Sequence, residues 1–125
     1  MKQPASHSYS IVPALLFMLW GPILWAVHLL LTYGPQSALC AAGEGRLAQL
    51  IPALVLGATA VFAVLLVTGF AWPKTVASLL RLDPLSHAQW PFMDSVSRNL
   101  VALSFAGVVF NGMAALLIDP CAQLR

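Results

Sequence analysis

The sequence predicts an all-α integral membrane protein with three transmembrane helices, its N-terminus cytoplasmic and its C-terminus periplasmic. Three observations predict it. Of the 125 residues, 60% are hydrophobic and 8% are charged, against roughly 45–50% and about 25% in soluble domains. Three stretches, 11–33, 47–72 and 99–118, hold no Asp, Glu, Lys or Arg, and each reaches the roughly 20 residues a helix needs to cross a hydrocarbon core. The remaining basic residues divide unevenly between the two sides. A small soluble domain keeps much of its surface exposed, so so apolar a chain calls for lipid as its solvent.

The first stretch, Ile11–Tyr33, is too long for the roughly 7–15-residue core of a signal peptide, and no A-x-A site follows it. It is expected to remain as a span, bent near Gly21-Pro22, because Pro22 has no N–H for the helix ladder. The second span, 47–72, and the third, 99–118, must also be helical, since lipid leaves no partner for an open backbone. Gly34, Pro35, Gly43 and Gly45 mark 34–46 as a short outer loop. The inner connection, 73–98, is longer. Within it, 75–82 is expected to form an interfacial helix with Val76, Leu79 and Leu80 toward lipid and Lys74 and Arg81 at headgroup level. Asp83-Pro84 would end it, and Asp94–Arg98 at i, i+4 points to a helix begun before the third span. Residues 1–125 form one domain.

With the N-terminus inside, the inner segments hold Lys2, Lys74, Arg81 and Arg98, and the outer ones Arg46 and Arg125. The positive-inside rule favours that orientation. Trp72, Trp90 and Phe92 would then lie at the inner interface. Cys40 and Cys121, the two cysteines of the chain, would both face the oxidising side, where a disulfide between them would tie the first span to the third.

Small and polar residues inside the spans nominate the packing faces. Gly21, Trp25, His28 and Thr32 share one face of the first span, and Ser104, Gly107, Asn111 and Ala114 share one face of the third. Ala53, Gly57 and Ala60 would let the second span approach a neighbour closely. Trp20 and Trp25, near mid-span, are expected to face a partner and anchor a neighbouring helix. His28 and Asn111 fall at similar depth, so a hydrogen bond between them is one expectation. His28 has two further readings, as part of a quinone site shared with a partner or as a haem ligand. His7 and His87 lie outside the spans and cannot complete a bis-histidine haem with it.

All four acids, Glu44, Asp83, Asp94 and Asp119, lie outside the spans, where a proton-coupled transporter usually has an ionisable group within the membrane. Neither a Cys-x-x-Cys motif nor a phosphate loop occurs, and a net charge of +2 does not favour nucleic acid. Catalysis by this chain alone is not expected.

The run Trp20-Gly21-Pro22 through Trp25, His28, Tyr33 and Cys40, with Pro120-Cys121, resembles small three-span membrane proteins of proteobacteria encoded beside terminal oxidase and cytochrome c genes. The resemblance covers the first 40 residues and the last few. It implies a non-catalytic accessory or assembly subunit of a respiratory electron-transport complex of the bacterial inner membrane, a haem-copper terminal oxidase. Its partners would be other integral membrane subunits and lipid. It would have no cofactor of its own, with haem or quinone held by a partner or at a shared interface. A small homo-oligomeric transporter or channel is the alternative. The haem-anchoring subunits of succinate dehydrogenase also have three spans, but their histidine and arginine signatures are missing here.

Overall fold

A computed structural model describes residues 11–42, 49–82 and 88–117. These form five helices and, among the described residues, no strand. They are α1 (Ile11–Met18), α2 (Trp20–Ala42), α3 (Ile51–Ala71), α4 (Pro73–Leu79) and α5 (Trp90–Leu117).

Two helices, α3 and α5, are each long and apolar enough to cross a membrane. The bent pair α1 and α2 meets the same test when taken together, as a broken span or a re-entrant segment, which brings the number of candidate spans to three. The bend is 64° and falls at Leu19, ahead of the expected position. Pro22 explains the offset. The carbonyl it cannot bond, and against which its ring clashes, is that of residue 18, one turn earlier. Beside the break, the Ser97 hydroxyl donates to the Phe17 carbonyl at 3.2 Å, one way a neighbouring helix satisfies backbone at a proline break in lipid.

Beyond Tyr33 the helix does not stop. It passes through Gly34 and Pro35 to Ala42, so the first nine residues of the expected outer loop are helical. Gly-Pro is a turn signal in water, whereas a helix that spans a bilayer tolerates both residues because other groups re-satisfy the freed backbone. Likewise α5 begins at Trp90, well before the expected start of the third span, and Arg98 Nε donates to both Asp94 carboxylate oxygens at 3.1 and 3.3 Å.

Side-chain pairings set the topology. Along the α1–α2 pair and α5, Phe17 of α1 meets Ser97, and in α2 Gly21 meets Val101, Trp25 meets Gly107 and Thr32 meets Asn111. Both numbers rise together, so these helices run parallel. Between α2 and α3, Trp20 meets Gly69 and His28 meets Thr59, so α3 runs antiparallel. The bundle is up-down-up. Its centre is apolar, with Phe62, Leu66, Val101 and Val108 buried together and Trp20 and Leu24 packed on them.

A second apolar cluster closes the end where α1 and α4 lie. Phe17, Val76, Ala77, Leu82 and Met93 are buried there, and Phe17 packs on Trp90 with ring centroids 5.1 Å apart. The short helix expected within 75–82 exists as α4, but Val76 points into this cluster and Leu80 packs against it; Leu79 alone of the expected lipid-facing set is exposed. The bend in α1 supplies the apolar surface that turns Val76 inward. The helix ends with Arg81 at a φ of 57° and Leu82 N–H donating to the Ala77 carbonyl at 2.8 Å, a Schellman-type close with arginine where glycine is usual.

Candidate functional site

The polar residues inside the bundle lie between α2, α3 and α5. His28 is fully enclosed, and its Nε2 is 3.1 Å from Thr59 Oγ1. Thr59 has a single hydroxyl proton, and its hydroxyl donates to the Val55 carbonyl at 2.8 Å. His28 must therefore donate from Nε2, which makes Nδ1 the bare acceptor. Nδ1 is buried and has no protein partner, as is also true of Trp20 Nε1. The imidazole edge packs on Phe62, with centroids 5.5 Å apart.

One turn further along α2, the Thr32 hydroxyl donates to the His28 carbonyl at 3.0 Å and approaches that of Leu29 at 3.2 Å. Asn111 Nδ2 donates to Thr32 Oγ1 at 3.4 Å, and Tyr33 donates its phenol proton to Asn111 Oδ1 at 2.9 Å. The expected His28–Asn111 bond is replaced by two separate links, His28 to α3 and Asn111 to Thr32 and Tyr33. Helix rotation decides the difference: Asn111 lies one turn toward the end of α2 from His28, level with Thr32.

Close approach of the helices is set by glycine. A Cβ at Gly21 would stand 2.8 Å from Val101 Cα and 3.0 Å from the Leu100 carbonyl oxygen, so α5 crosses α2 on its backbone. At Gly112 a Cβ would meet Thr59 Cγ2 at 2.6 Å, which places α5 directly behind the hydroxyl that His28 binds. Gly107 carries the Trp25 indole and Gly69 the Trp20 indole, each with Nε1 2.9 Å from where a Cβ would be. Both tryptophans thus anchor helices of their own chain. Trp20 is turned inward, and Trp25 keeps about 40% of its surface exposed.

Of the other nominated residues, Ser104 is buried and Gly107 is half-buried. Gly57 lies with Ala53 and Ala60 on the outer face of α3, and a Cβ on Gly57 would meet nothing within 4 Å. The buried face of α3 is instead Ile51, Val55, Phe62, Leu66 and Gly69. Cys121 lies outside the described residues, as do His7, His87 and the Asp83-Pro84 stop; no cysteine among the described residues is free. Thr59, Gly69 and Gly112 escaped the sequence reading. Each is a polar or small residue in an otherwise bulky apolar span, which was the available signal.

No group of His, Cys, Asp and Glu among the described residues has metal-site geometry. The arrangement is one of internal cross-links: the polar groups bond one another and the helix backbone. A partner molecule reaching His28 would have to part α2 from α3. Compared with protein-family models, curated proteins and solved structures, the chain matches none.

Proposed function

We propose that the chain is a non-catalytic packing subunit of a larger membrane assembly, with three spans, an inner N-terminus and an outer C-terminus. One observation carries this reading. His28, the only ionisable group in the three charge-free stretches apart from Tyr33, is enclosed and bonded to Thr59. Polar chemistry is turned inward, while Leu30, Leu103 and Phe110 expose more than 70% of their surface to lipid or to neighbouring subunits. The respiratory assignment, an accessory or assembly subunit of a haem-copper oxidase in a bacterial inner membrane, is supported by the sequence resemblance alone.

Deleting the chain from its native membrane tests the proposal. The assembly should fall in abundance while the remainder turns over normally per haem. Normal abundance with lost turnover would make the chain a working part and overturn it.

A second reading, a small homo-oligomer, is favoured by the outward Ala53–Gly57–Ala60 stripe, which leaves room for a helix of another copy. The third reading, His28 at a shared quinone or haem site, has the burial of the imidazole against it.

A further inference from the structure

On the outside of the bundle an apolar groove of about 240 Å³ runs between α3 and α5, lined by Leu66, Val67, Phe70, Val101, Ala102 and Phe105. Arg98 stands at one end. Its guanidinium carbon lies 5.5 Å from the centre of the Phe70 ring, and it precedes Val101 by three residues on the same helix face. We propose that this groove holds one acyl chain of an anionic phospholipid whose phosphate sits on Arg98.

The charge and the apolar walls match such a molecule in order and depth. Asp94 engages the arginine only through Nε. The two terminal amino groups make no hydrogen bond or ion pair among the described residues, and the side chain is 42% exposed. That leaves the half of the fork suited to phosphate oxygens. Arg98 immediately precedes the charge-free stretch 99–118, at headgroup depth if α5 spans the bilayer. From there to Phe105 the groove descends about 10 Å at 1.5 Å per residue, the direction an acyl chain takes below its phosphate. The volume is below the roughly 300–1,000 Å³ of pockets for compact ligands, and suits a chain segment. The inference rests on the membrane-spanning part of the proposed function.

The full chain, reconstituted in nanodiscs of equal phosphatidylglycerol and phosphatidylcholine and released for native mass spectrometry, tests it. Wild type should retain phosphatidylglycerol about fivefold over phosphatidylcholine, the preference expected of one interfacial arginine. Arg98→Gln should bring the ratio near one and keep the total bound lipid. Ala102→Trp, which fills the groove from an exposed position, should lose both lipids with helical content unchanged by circular dichroism. Equal binding in wild type, or a preference that survives Arg98→Gln, would overturn the proposal. So would a lipid-free dimer that Ala102→Trp dissolves, since a second copy would then occupy the groove. Release of the chain from native membranes by alkaline carbonate would instead overturn the spanning reading beneath it.

Discussion

His28 on α2 and Thr59 on α3 share a hydrogen bond of 3.1 Å whose proton must come from the imidazole, because the threonine's own proton is directed to the Val55 carbonyl. The polarity of this link defines what can replace it. A glutamine amide reaches the position of Nε2 and can donate there, whereas an asparagine amide reaches only that of Nδ1, which has no protein partner. His28→Gln should therefore retain most of the stability that His28→Asn loses. The gap should be about 1 kcal/mol, the scale of hydrogen bonds between membrane helices, read from unfolding in mild detergent. Equal loss in both variants would show that ring packing on Phe62, and not the hydrogen bond, holds the pair.

Glycine substitutions separate the inner and outer faces of the bundle. Gly112→Ala forces a methyl against Thr59, whose β-branched side chain is stiff on a helix and whose oxygen already serves two hydrogen bonds. It should cost about 1–3 kcal/mol, the range for overpacking. Gly57→Ala, where a Cβ meets nothing within 4 Å, should leave stability unchanged or raise it by up to about 1 kcal/mol, the helix preference of alanine over glycine. A large loss at Gly57, with a change in oligomer size by light scattering, would move weight to the homo-oligomer.

Arg81 occupies a left-handed backbone position, φ 57°, at the end of α4. Glycine avoids the Cβ conflict there, so Arg81→Gly should stabilise the protein by about 1 kcal/mol. Thermal unfolding checks the sign; destabilisation would mean that the guanidinium makes contacts that outweigh the strain.

The parallel run of α2 and α5 bears on the cysteines. From the Thr32–Asn111 contact, Cys40 lies about 12 Å further along α2 and the end of α5 about 9 Å further along α5, at 1.5 Å per residue. Four extended residues beyond Leu117 reach roughly 14 Å, enough to bring Cys121 to Cys40. The purified protein should resist alkylation until reduced. Reduction should lower its stability by about 2–4 kcal/mol. Two thiols that react without reductant would contradict the bridge.

Much of this architecture was legible in the sequence, for identifiable reasons. The apolar stretches show because lipid excludes charge, and the bend shows because Pro22 removes one helix bond, although its effect appears at Leu19. The Asp94–Arg98 pair marked the early start of α5. Gly21, His28, Thr32 and Ser104 are buried. Other features depend on the partner surface. The Ala53–Gly57–Ala60 stripe permits close packing, but periodicity cannot say whether the neighbour is the same chain, and it faces outward. Pro35 reads as a stop, yet α2 continues through it to Ala42. The partner of His28 depended on helix rotation, which placed Thr59 opposite the ring and Asn111 one turn away.

Gentle detergent extraction at native expression, with an optical spectrum and identification of the co-migrating chains, tests the central claim most directly. The account predicts that the chain migrates with larger integral membrane subunits and that haem absorbance belongs to that assembly. A colourless species containing only this chain would contradict it.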